Sequence, residues 1–209
     1  MQNILNSLNF IMKGGIMMYP LLFVSVISMA LIIERLVFFS KIKNIDIAFL
    51  QEIKQLITNR RLEDLKAFLS SQKTPVAEVL MTGVDNMHAN ANDMDIAMEQ
   101  HAASIIPKLE SKLWILDTII TMAPLLGLLG TITGMINAFQ IFSTKGLNQP
   151  TAISGGVGEA LIATATGLII AVFTLLFYNY FNTKVRRLIK DMEFASNEFL
   201  RMVKQVEPS

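Results

Sequence analysis

One carboxylate and three hydroxyls stand inside a run of residues apolar enough for a lipid bilayer. The run ISGGVGEALIATATGLIIAVFTLLFYNYF, residues 153–181, holds Glu159, Thr164, Thr166 and Thr174. A charged side chain at the centre of hydrocarbon costs roughly 2.5–3.5 kcal/mol on insertion scales, and acids found there usually mark an ion or proton path. Hydroxyls can hold water or pass protons along. They cannot act as nucleophiles here, because no base sits beside them in the sequence. Glu159 lies near one end of its stretch, so an acid that snorkels to the interface is the competing reading. Asp117 stands at the start of another apolar stretch, and an interfacial acid is its expected role.

The composition says what must position these groups. The 209 residues are 52% hydrophobic, with a mean hydropathy of +0.47. An ordinary soluble domain is less apolar. The net charge of +1 offers nothing to a nucleic acid, and no cysteine is present, which removes disulfides and thiolate metal sites. The two histidines, His88 and His101, lie in a polar stretch and read as solvated surface residues. No metal or cofactor is expected.

Three apolar segments reach the ~20 residues that a membrane helix needs. They are residues 16–39, 113–142 and 153–181. The first runs too long for a signal peptide and ends in Glu34-Arg35, not at a small-residue cleavage site. Cations near the span ends set the orientation. Lys13 precedes the first span, and Arg35, Lys41 and Lys43 close it. Lys108 and Lys112 precede the second, only Lys145 lies in the next loop, and Lys184, Arg186, Arg187 and Lys190 follow the third. The expected order is an outer segment 1–15, an inner region 40–112, a short outer loop 143–152 and an inner C-terminal helix 182–209.

The inner regions show helical spacing. Ile42, Ile45, Phe49, Ile53 and Leu56 form one stripe, and Leu62, Leu65 and Leu69 another. Thr74 is the expected N-cap of a helix with Pro75 at its first position. After the polar loop NMHANAND, Asn92 is the expected cap of a helix striped by Met98, Ala102, Ile105, Leu109 and Leu113. This helix is expected to run unbroken into the second span, bent at Pro107 and Pro124. Val185, Leu188, Met192, Ala195, Phe199 and Met202 make a heptad seam after the third span. That seam fits equally a helix packed on its own chain and a contact between copies.

On a helical wheel the third span divides in two. Gly156, Glu159, Ala160, Ala163, Thr164, Gly167, Ala171 and Thr174 share one face. Leu161, Ile162, Leu168, Ile169, Val172 and Leu176 share the other. In the second span Ala123, Pro124, Gly127, Gly130, Thr131, Gly134 and Ala138 fall together. Small residues let membrane helices approach closely, so spans two and three are expected to pack through Gly127, Gly130, Gly134, Ala160, Ala163 and Gly167. Packing alone accounts for the glycines and alanines. It gives Glu159 no task. Thr131 and Thr164 both fall near mid-bilayer, and with Glu159 they could line a narrow polar track.

The stretches GGIMMYPLLFVSVISMALIIERL, APLLGLLGTITGMINAF and GEALIATATGLIIAVF resemble the MotA/TolQ/ExbB family of proton-channel stator proteins. The match covers all three spans. Gly14-Gly15, Met18, Pro20 and Glu34-Arg35 are more ExbB-like than TolQ-like, and the three spans differ from the usual four of MotA proteins. The resemblance implies an all-α integral membrane protein, with three transmembrane helices and long cytoplasmic helical extensions, in a pentameric ring. It implies a dimer of an ExbD-like single-span partner in the pore, whose membrane aspartate loads and unloads the proton. Proton flow would turn the ring relative to that partner, and a TonB-like protein would carry the motion to outer-membrane transporters of iron complexes and vitamins. The implied home is the bacterial inner membrane, with the N-terminus periplasmic and the C-terminus cytoplasmic. The family's pore threonines match Thr131 and Thr164, and its acid matches Glu159. Many relatives carry a proline in the third span where this chain reads Ala171-Val172-Phe173-Thr174. A TolQ-like role in envelope maintenance and a partner-independent ion channel are the other functions considered.

Overall fold

The computed structural model describes residues 14–42, 45–88, 90–145 and 150–206. Residues 1–13, 43–44, 89, 146–149 and 207–209 lie outside the described residues, and with them Lys13, Lys43 and most of the segment 1–15 expected outside the membrane. Among those described, the secondary structure is helical: α1 (Met18–Ser40), α2 (Ile47–Thr58), α3 (Leu62–Gln72), α4 (Pro75–Asp85), α5 (Ala91–Glu110), α6 (Leu113–Lys145) and α7 (Pro150–Val206). Three stretches, Met18–Ser40, Ala91–Thr144 and Ser154–Gln205, contain segments long and apolar enough to cross a membrane. The third span and the C-terminal helix are therefore one helix, α7.

The chain divides into two compact units. The first comprises residues up to Arg35 and Lys112–Tyr180, which hold most of α1, all of α6 and the first part of α7. Its apolar cluster joins Met18, Leu21 and Val24 of α1 to Ile119 and Ala123 of α6 and to Ile170 and Ala171 of α7. The outward faces stay apolar: Phe23, Val26, Leu125, Leu161, Ile169 and Leu176 are exposed. A helix surface of this kind is stable only against lipid or another apolar surface. Ser28 of α1 and Thr174 of α7 are both buried, with their hydroxyls 2.7 Å apart. Thr174 Oγ1 donates to the Ile170 carbonyl at 2.8 Å. Its one proton is then used, so Ser28 Oγ donates to Thr174.

The second unit comprises Leu36–Ser111 and Phe181–Ser209. Here α2 packs on α3, α3 on α4 and α4 on α5. Asp46 caps α2 by accepting from Phe49 N at 2.9 Å, and Phe49, Ile53, Leu56 and Ile57 are buried. Ile42 and Ile45 of the expected stripe precede that helix. Thr74 caps α4 with Pro75 in the first turn, as expected. Lys66 Nζ lies 2.8 Å from Asp85 Oδ1. That hydrogen bond, with the neighbouring negative charge, holds the Lys66 ammonium above its usual range.

Two local expectations are corrected. The cap of α5 is Asn90, not Asn92: Asn90 Oδ1 accepts from Asp93 N at 2.8 Å, and Asn92 already lies in the helix. The helix also does not run unbroken into the second span. It ends at Glu110, Ser111 is extended (φ −47°, ψ 137°), and Lys112 is left-handed at φ 64°. Neither conformation can sit inside an α-helix. The turn carries Lys112 Nζ to within 2.6 Å of Glu34 Oε1.

The C-terminal seam resolves to its intrachain reading. Val185, Leu188, Met192, Ala195 and Phe199 are buried within the chain, and Met202 is half-buried. Phe199 and Met98 close over Gly83 of α4, where a Cβ would stand 2.9 Å from Phe199 Cε1 and 2.6 Å from Met98 Sδ. Phe181 stacks on Phe39 with ring centroids 5.7 Å apart. The seam is spent on the chain's own core and gives no independent argument for contact between copies.

Candidate functional site

The small-residue faces meet as expected. Gly127, Gly130 and Gly134 of α6 and Gly156, Ala160, Ala163 and Gly167 of α7 are all buried. The approach is backbone on backbone. A Cβ on Gly127 would stand 3.0 Å from both Ala163 O and Thr164 Cα, and one on Gly134 would stand 2.8 Å from Gly156 O. A Cβ on Gly167 would fall on the Ala123 carbonyl oxygen. Ala123 thus meets Gly167 and Gly134 meets Gly156, so the order along α6 is reversed along α7 and the two helices run antiparallel. With no hydrophobic gain available between helices in lipid, van der Waals contact along such a seam is what holds them.

The two candidate threonines differ. Thr164 Oγ1 crosses the seam and donates to the Gly127 carbonyl at 3.0 Å. Thr131 lies one turn along α6 from Gly127 and donates to Leu128 O on its own helix at 2.6 Å. Both side chains are half-buried. Each hydroxyl spends its proton on a carbonyl and keeps its oxygen lone pairs as acceptors. Thr166 likewise bonds Ile162 O at 2.8 Å. Thr164 therefore has a packing bond that the sequence does not announce, and Thr131 has none across the seam among the described contacts.

Glu159 stands apart from the threonines. Its carboxyl sits on Gly15, where a Cβ would coincide with Oε1. Gly15 has φ +73°, a conformation that side chains rarely adopt. The side chain of Glu159 is half-buried, and Asp117 is exposed. Sequence reasoning missed Gly15 and Ser28 as partners of the third span. Neither has a spacing signal, because both contacts join residues far apart in the chain.

Residues 71–194 match the MotA/TolQ/ExbB proton channel family. The chain is 33% identical over 174 residues to Putative biopolymer transport protein ExbB-like 3 of Synechocystis, covering 82% of this chain and 83% of that protein. It is 29% identical over 170 residues to ExbB-like 1 of the same organism, covering 80% and 67%. It is 38% identical over 96 residues to Biopolymer transport protein ExbB of Aquifex aeolicus, covering 46% and 65%.

Proposed function

The chain belongs to the MotA/TolQ/ExbB proton channel family as an ExbB-type, multi-pass membrane protein, and from this premise we propose that it is the ring subunit of a proton-driven membrane motor. Five copies enclose a dimer of an ExbD-like single-span protein. Protons passing the partner's membrane acid turn one against the other, and a TonB-like protein takes up the work for outer-membrane uptake of iron complexes and vitamins. Thr131 and Thr164 line the path, and Glu159 lies toward its outer mouth. No catalytic residue is assigned to this chain.

The observation that carries this reading is the α6–α7 pair. Two antiparallel helices touch through glycine and alanine backbones while hydroxyls remain half-buried along them. Such a pair supplies polar groups within a span but no titrating acid beside the threonines, so a partner that brings one completes the path. Co-purification tests it: the chain should carry a small protein with one membrane helix. A TolQ-like role would bring a different partner set, and a partner-independent channel none.

The proposed site is the bacterial inner membrane, with the N-terminus periplasmic. Cysteine placed at Ser71 should be shielded from an impermeant maleimide in intact cells, and cysteine at Gly146 should label. Labelling at position 71 from outside would refute this orientation.

A further inference from the structure

We infer that Glu159 is the N-terminal anchor of α1, a positioning residue for the first span, and that this contact is why position 15 holds glycine. The side chain reaches from α7 to the turn where α1 begins. There Met18 N donates to Gly15 O at 3.1 Å and Tyr19 N to Ile16 O at 3.3 Å. The N–H groups preceding those bonds have no partner within the helix, and they carry the positive end of its dipole. A carboxyl group at this end is favoured over one anywhere else along α1. The contact also leaves no room. Oε1, Cδ and Cγ of Glu159 all fall within 2.8 Å of the place a Gly15 Cβ would occupy.

Gly14 completes the seat. A Cβ there would stand 2.6 Å from Met18 Sδ and 3.1 Å from Ile162 Cγ2, so the turn also touches α7 one helical turn beyond the acid. The helix starts with a turn and no capping side chain of its own; the carboxyl meets this turn by packing on Gly15 and acts on the helix start through space. Residues 14–17 (Gly-Gly-Ile-Met) offer no Ser, Thr, Asp or Asn for that task. Glu159 is the polar side chain that the fold brings to this place. The contact joins the first span to the start of the third, and it does not depend on whether protons flow past Glu159.

A double-mutant cycle on the full-length protein in mild detergent, read as thermal unfolding, tests the assignment. Gly15→Ala alone suffers twice, from the left-handed backbone and from collision with the carboxyl. In a Glu159→Ala background only the backbone penalty remains. The fall in Tm from Gly15→Ala should therefore be several degrees in the parent protein and clearly smaller beside Glu159→Ala. Glu159→Gln keeps the packing on Gly15 but not the charge, so its Tm should fall between the parent and Glu159→Ala, which should lie lowest. Equal Gly15→Ala effects in both backgrounds would overturn the contact. A Glu159→Ala protein as stable as the parent would overturn the anchoring role. Neither outcome would bear on the proposed function, which is read from energised uptake.

Discussion

Gly167→Leu is expected to abolish assembly and energised uptake together. A Cβ at position 167 falls on the Ala123 carbonyl and stands 3.2 Å from Gly127 Cα. Both are backbone, so no side chain can turn aside. The helices must separate, and a radial gap of about 0.5–1 Å already forfeits roughly a quarter to a half of each atomic contact. Overpacking in a well-filled core typically costs about 1–3 kcal/mol, and here the whole seam from Ala123 to Gly156 is shared. Size-exclusion chromatography in mild detergent should show aggregate or dissociated chains in place of the parent peak. Gly155→Ala and Gly158→Ala serve as controls, because a Cβ at either meets nothing within 4 Å among the described residues. Within the chain they should be neutral or slightly stabilising, since alanine is favoured over glycine in a helix by roughly 0.5–1 kcal/mol. A Gly167→Leu protein that assembles and works would contradict the backbone-on-backbone seam.

The second large effect is expected at the hydroxyls. Thr131→Val combined with Thr164→Val should lower energised uptake at least about tenfold, the rate equivalent of about 1.4 kcal/mol, while assembly is retained. Valine keeps the shape of threonine. Thr164→Val removes one hydrogen bond across the seam, to the Gly127 carbonyl, worth about 0.5–1.5 kcal/mol. Thr131→Val removes only a bond to its own helix, which packing alone would scarcely register. Thr131→Val is thus the discriminating single variant. If the hydroxyls receive water or the partner's acid, it should impair uptake with an unchanged chromatographic profile. Normal uptake in the double variant would sink their role as path lining.

What the sequence disclosed follows from what periodicity can carry. The face of Gly156, Ala160, Ala163, Gly167, Ala171 and Thr174 is legible on a wheel, and all six are buried. Its opposite face, with Leu161, Ile169, Val172 and Leu176, is exposed. The same logic left the C-terminal seam undecided, because heptad spacing is identical for a partner helix in the same chain and in another. Burial of Val185, Leu188, Met192, Ala195 and Phe199 within the chain decides it. The break before α6 was invisible, since Ser111-Lys112 carries neither glycine nor proline, and its left-handed residue is a lysine held to Glu34. The cap of α5 was displaced by two residues because NAND offers Asn90, Asn92 and Asp93 as similar candidates. The contacts Ser28–Thr174 and Gly15–Glu159 are tertiary, and no local pattern announces them.

The proposed function stands or falls on the company this chain keeps in the membrane. Exposed apolar faces on α1, α6 and α7 show that its spans need lipid or other chains around them, and the proposed path needs an acid, which among the described residues does not stand beside the threonines. Native mass spectrometry of the complex, extracted from its own membranes in mild detergent, tests this most directly. Five copies of the 23.3 kDa chain together with a small single-span partner are expected. A particle holding this chain alone, or only monomers, would contradict it.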